Sequence, residues 1–157
     1  MDEKRLVGPH GKRQLNARYW APMSQENVEL VEALIDAFNR RDLKTLADLS
    51  HEDFEFVSVL AGVDADGATF RGSSAWASYF AAMDETWTGW RAVDFRIFDA
   101  GDDRLACLFR LVGEGRLSGV PVARAVGITY DIRDGQLWRV RSYPNPSDAL
   151  EAAGLSE

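Results

Sequence analysis

Val120 to Ile132 reads VPVARAVGITYDI, and Asp134-Gly135 then leads into Gln136 to Tyr143, QLWRVRSY. Even positions of the first stretch are Val120, Val122, Arg124, Val126, Ile128, Tyr130 and Ile132. Odd positions are Pro121, Ala123, Ala125, Gly127, Thr129 and Asp131. Period-two alternation of this kind marks a strand with one large apolar face and one small or polar face. Asp-Gly between two such runs signals a tight hairpin. One residue interrupts the apolar face, Arg124. A long hairpin with a single cation on its inner face reads as the wall of a pocket.

Two more strands precede the hairpin. Trp90 to Phe98 puts Val93, Phe95 and Ile97 on one face, and Arg104 to Val112 does the same with Leu105, Cys107, Phe109 and Leu111. Gly113 to Gly119, GEGRLSG, predicts a bend or bulge. Further upstream, Asp53 to Leu60 aligns Phe54, Phe56, Ser58 and Leu60, and Ala61 to Thr69 forms a Gly/Asp lip carrying Asp64 and Asp66. Helical spacing appears three times before the strands are complete. Gln25 to Asn39 carries Val28, Val31, Leu34, Ile35 and Phe38, with Ser24 as cap. Leu43 to Leu49 follows the cap Asp42, and a third helix after Ser73 or Ser74 carries Trp76, Tyr79, Phe80, Met83 and Trp87. Pro146 to Gly154, capped by Ser147, reads as a short final helix. The order predicts an α+β fold: a strongly curved, mostly antiparallel sheet wrapped around N-terminal helices, forming a cone with an internal pocket.

A chain of 157 residues is one domain on length alone. Residues 1–22 contain Gly8-Pro9, Gly11 and Ala21-Pro22 and no periodicity. They predict a disordered or extension arm, with 23–157 as the cone domain; docking of Tyr19 and Trp20 on the body or on a partner is the alternative. The arm has a net charge of +3, which leaves the rest of the chain at −10. A body this acidic repels phosphate backbones, so nucleic acid is disfavoured as a partner. No apolar run approaches the roughly 18 residues of a membrane span. The single cysteine, Cys107, excludes an internal disulfide and fits a reducing, cytoplasmic setting. Neither His10 nor His51 belongs to a cluster with ligand spacing, so no metal or cofactor is expected.

The run Glu26 to Phe56, ENVELVEALIDAFNRRDLKTLADLSHEDFEF, followed by Phe70-Arg71-Gly72, resembles the cone-shaped nuclear transport factor two superfamily. DAGDDRL, the RLSGVPV turn and DGQLWRVRSYPNPSDALEAAGL are similar to its SnoaL-like branch. The resemblance covers about Ser24 to Leu155 and implies the cone fold and a homodimer formed through the outer face of the sheet. It implies no single activity, because such a scaffold hosts isomerases, polyketide cyclases, dehydratases, epoxide hydrolases and binding domains. Aligned on Asn39 to Leu43, the carboxylate base of the steroid isomerases falls on Ser58, their oxyanion tyrosine on Leu34, and their protonated acid at or next to Ile128. The aspartate of the epoxide hydrolases falls near Ser142. Each position departs from the family chemistry, and an unassisted serine is too weak a base to take a carbon-bound proton.

The candidate ligand-binding residues are therefore Phe56, Ser58, Trp76, Arg124, Tyr130, Trp138 and Ser142. Arg124 could grip an anionic oxygen or else snorkel to water. The hydroxyls could face the cavity or bond to backbone. Trp76, Trp87 and Trp90 could line a mouth or fill the core. Arg110 suits a surface or dimer ion pair. Three functions stay open: a binder of a small hydrophobic or aromatic, optionally anionic, metabolite; a cyclase or isomerase with a relocated acid; and a non-catalytic dimeric interaction domain. A cavity-facing carboxylate would mark the second, and a solid interior the third.

Overall fold

The computed structural model describes residues 5–7, 13–14, 22–58 and 68–155. His10, Tyr19, Trp20, Leu60 and the lip residues Asp64 and Asp66 lie outside the described residues. The elements are β1 (Arg5–Val7), β2 (Arg13–Gln14), α1 (Pro22–Arg40), α2 (Leu43–Asp48), β3 (Ser50–Ser58), β4 (Ala68–Arg71), α3 (Ala75–Thr86), β5 (Trp87–Gly101), β6 (Arg104–Gly115), β7 (Pro121–Arg133), β8 (Gln136–Tyr143) and α4 (Pro146–Ala152). One sheet runs in the order β2-β1-β5-β6-β7-β8-β3-β4. All pairings are antiparallel except β3 with β8, which is parallel. The fold is α+β, a curved sheet left open between its two edges, with α1 to α3 packed on the inner face.

Local chemistry accounts for the punctuation. Asp42 caps α2, accepting from the Thr45 N–H at 3.1 Å and from its hydroxyl at 2.7 Å. Asn145, two residues before the expected Ser147, caps α4 with Pro146 in the first turn. Asp134 and Gly135 both have positive φ, 54° and 74°, the requirement of a two-residue hairpin whose twist matches its strands. α1 ends in an unusual way. Arg41 takes the left-handed conformation, φ 60°, where glycine is the usual choice. Asp42 N–H then reaches back to the Ala37 carbonyl at 2.9 Å. Asn39 fastens this end of the helix to β5 by exchanging two 2.9 Å hydrogen bonds with the backbone of Ala92.

Curvature comes from register shifts. The β5–β6 ladder slips between Thr88 and Arg91, between Val93 and Arg96, and between Asp99 and Gly101. Asp94 sits at the second slip with φ 56°. Each extra residue bends the strand and reverses which side chains face inward. The expected face of Val93, Phe95 and Ile97 is thereby corrected. Val93 lies opposite Arg110 on the outer face, while Ala92 and Ile97, of opposite parity, both turn inward. Trp87 is also corrected. It opens β5 in extended conformation instead of closing the stripe of α3. On the outer face, α4 lies on β7 at Gly127, where an added Cβ would stand 2.7 Å from Ala149 Cβ and 2.8 Å from the Pro146 carbonyl oxygen.

Candidate functional site

The interior between α1, α3 and the sheet is largely aromatic. Phe38, Phe54, Phe56, Trp76, Tyr79, Phe80 and Trp90 form one mutually packed cluster, mostly tilted or edge-to-face. Such geometry is preferred for ring quadrupoles. The cluster leaves an apolar void of about 30 Å³, room for a water or two. Leu34, Ile35 and Phe38 from α1, Trp76 and Tyr79 from α3, and Phe56, Ala92, Phe109, Ile128, Tyr130, Val140 and Ser142 from the sheet line it. No acidic or basic side chain is among them.

Four of the seven sequence candidates meet at this void: Phe56, Trp76, Tyr130 and Ser142. Ser58 is fully buried and shares a hydrogen bond with the Tyr79 hydroxyl. On the parallel β3–β8 pair it stands next to Ser142, since Val57 pairs with Arg141. Leu34, Ile128, Ser58 and Ser142, the positions marked by the family alignment, thus converge on one place although none carries an acid.

Arg124 and Trp138 are placed elsewhere. The rungs Cys107–Ile128, Phe109–Val126 and Leu111–Arg124 follow one another along β6 and β7. Arg124 lies on the inner face, as expected, but one rung past the helical cover, and it is exposed. Trp138 was expected to share a face with Val140 and Ser142. The β7–β8 ladder slips between Asp131 and Ile132, so Leu137 takes the inward place at 0% exposure. Trp138 is left half-buried between two guanidinium groups, Arg133 at 3.5 Å and Arg139 at 4.1 Å from the ring centre.

Trp76 has two sides. Its ring stacks on Phe54 and borders the void, while its Nε1–H donates to Ser50 Oγ at 2.9 Å. It also borders an outer groove of about 360 Å³ with Ser50, His51, Glu52, Gly72, Ser73 and Gln136. His51 is only 11% exposed at its side chain. Its Nδ1 accepts from the Asp53 N–H at 3.0 Å and its Nε2 faces Asp134 at 3.5 Å. Arg110 pairs with Asp94 at 3.1 Å on the outer face, a surface ion pair of the kind its position suggested.

Two hydroxyls matter most for chemistry. Burial holds Tyr79 well above the ordinary phenol range, partly offset by the Ser58 hydrogen bond and by the charge of Arg41. Burial does the same to Tyr130, with Cys107 and Tyr79 adding to it. Both are protonated at neutral pH, so each has an O–H to donate. Tyr130 is only 3% exposed and borders the void. Tyr79 was read as core from its helical spacing; the cue was that a tyrosine within an apolar stripe needs a polar partner. Cys107 is fully buried, and burial pushes its thiol up to about 12, which leaves it inert as a nucleophile. No metal-ligating group of His, Cys, Asp or Glu occurs among the described residues. No described helix is long and apolar enough to cross a membrane.

Comparison with known proteins agrees with this geometry. No curated protein matches the chain in sequence. Among solved structures, a provisionally named polyketide cyclase from Xanthomonas campestris pv. campestris is 24% identical, with a TM-score of 0.66 over 83% of this chain and 98% of that one. TerC, co-crystallised with polyporic acid, is 20% identical, with a TM-score of 0.65 over 82% and 98%. A protein of ketosteroid isomerase-like fold from Catenulispora acidiphila, in complex with trimethylamine, is 19% identical, with a TM-score of 0.59 over 81% and 93%. At these identities the likeness is one of fold. The SnoaL-like domain profile matches residues 31–140, the span from mid-α1 to the void-lining Val140. This chain belongs to the SnoaL-like family.

Proposed function

We propose that this chain binds a small, flat, hydrophobic molecule in its cone, with one oxygen of that molecule accepting a hydrogen bond from Tyr130. The observation that carries this reading is the apolar void itself, bordered by two phenols, Tyr79 and Tyr130, that burial keeps protonated. A ligand oxygen accepting from a buried hydroxyl gains a net hydrogen bond of about 0.5–1.5 kcal/mol. The relatives crystallised with polyporic acid and with trimethylamine show that proteins of this fold hold small molecules. A void of about 30 Å³ is well below the roughly 150 Å³ that admits benzene. Binding therefore requires a ring to move. Trp76 is the one residue shared by the void and the Ser50–Gly72 groove.

Carboxylate-driven cyclase or isomerase chemistry has no support in the lining, which holds no acid or imidazole among the described residues. Two tyrosines kept protonated by burial do not serve as bases at neutral pH. Arg124 stands at the exposed rim, so it can meet only an anionic end that projects from the cone. Trp138 could contribute only from outside it.

The small void favours a second reading, a dimeric interaction domain without a ligand. Its surface would be the outer sheet, where Val93, Val112 and Ala125 lie among Arg91 and Arg110. A thermal-shift screen of compact phenols, aromatic acids and polyketide-like compounds separates the two. Binding raises the melting temperature by mass action, and Tyr130→Phe should lose about tenfold in affinity. If nothing shifts the melting temperature and light scattering finds a dimer, the second reading stands.

A further inference from the structure

The sequence directs attention to Arg124 as the cation of the site, yet Arg41 is the half-buried cation packed against the aromatic interior. Its guanidinium lies 3.7 Å from the Trp90 ring centre and 5.3 Å from that of Phe80. Nη2 donates to the Trp90 carbonyl at 3.1 Å. Nη1 is buried and has no hydrogen-bond partner. Among the described residues no acid forms an ion pair with Arg41, although carboxylates outnumber cations in this chain. Its backbone is held in the left-handed region, φ 60°, a strained state for a residue with a side chain. A charge partly taken out of water without a counter-ion carries a cost that pairing would normally offset. Strain, an orphaned donor and an unanswered charge coincide at one residue.

The direction of that charge is informative. Trp90 and Phe80, on which the guanidinium lies, each pack against Tyr79, with ring centres 6.0 Å apart in both cases. Tyr79 in turn lines the void. Two aromatic rings in series, Trp90 or Phe80 and then Tyr79, therefore separate the positive charge from the cavity, and aromatic rings do not screen charge as water does. The charge of Arg41 acts on Tyr79 in the direction that favours the anion, against the larger effect of burial.

We infer that Arg41 sets the charge preference of the cone, so that its ligand is a weakly acidic phenol or enol held as the oxyanion, with Tyr130 donating to the oxygen and Arg41 supplying the field. This rests on the binding reading above and adds the ligand's acidity to it. Arg41 is a positioning and field residue, since it touches no ligand directly. The alternative is that Arg41 only clamps the end of α1.

The test uses para-nitrophenol, whose ionisation is visible by absorbance, and para-nitrotoluene, its non-ionising counterpart. A dry apolar cavity alone raises the pKa of a bound phenol, as it does for Tyr130. With Arg41 acting as inferred, the bound nitrophenol titrates at or below its free value in the wild-type protein. Arg41→Gln, which can still donate to the Trp90 carbonyl, should raise that bound pKa by about one unit, a tenfold loss in preference for the anion. Arg41→Lys should retain most of the preference. A raised pKa in the wild-type protein overturns the inference, with no variant needed, as does an unchanged value in a folded Arg41→Gln protein. If nitrotoluene binds and nitrophenolate is excluded, the field inference falls and the binding reading survives. If neither compound binds, both fall.

Discussion

Tyr79 and Tyr130 are both buried beside the void, and Tyr79 shares a hydrogen bond with Ser58. Tyr79→Phe removes that bond and should destabilise the fold by about 1 kcal/mol. Tyr130→Phe, which keeps the ring, should cost less stability and act on ligand affinity instead. Urea titrations of the two variants measure the difference, and an equal loss from both would give Tyr130 a structural hydrogen bond. Residues were also the scale at which sequence reading was least reliable. Alternation placed Arg124 on the inner face correctly, but it could not say where the helices stop covering that face. Arg41 gave no signal at all, because a polar residue just past a helix reads as solvated.

Helix spacing and strand alternation located every described element from α1 to α4 except the short strand β4, which fell at the edge of the expected lip. What they could not locate were the slips in register. A bulge adds one residue without changing composition, so Val93 and Trp138 were assigned to faces that the chain abandons a residue earlier. Two element-scale consequences can be measured. α4 approaches β7 at Gly127, where a Cβ would meet backbone and Ala149 below 3.0 Å. Gly127→Ala should cost about 1–3 kcal/mol by overpacking, read as a lower urea midpoint, whereas the same change at exposed Gly135 should do so only through its positive φ. The second concerns acid. Hydrogen bonds from the Thr45 hydroxyl and then its N–H hold the Asp42 carboxyl below its usual value. A depressed folded pKa adds stability above the unfolded value, near pH 4, and loses it as the pH falls through the folded one. The melting temperature of the wild-type protein should thus fall more steeply below about pH 4 than that of Asp42→Asn, which keeps a capping oxygen but does not titrate.

At the scale of the molecule, the cone is a continuous aromatic interior with a small void and an unpaired cation behind one wall. The family resemblance conveyed the cone and the convergence of positions 34, 58, 128 and 142 on one place. It conveyed no chemistry, because the residues now standing there are leucine, serine and isoleucine. Volume was equally beyond the sequence, since it depends on rotamers that alternation and spacing do not encode.

The parallel pairing of β3 with β8 also dictates a timetable. Ser50 to Ser58 must wait for Gln136 to Tyr143 before one of its two edges is occupied. On a ribosome, most of the chain is made while that edge stays bare, and contacts so distant in sequence form slowly. A chain ending at Asp134 should consequently pull down into aggregates through the exposed edge. In the full chain, pulse-labelled amides of Phe56 and Val57 should acquire protection later than those of the β6–β7 hairpin. Early protection of Phe56 and Val57 would mean that nascent chains shelter this strand by some other route.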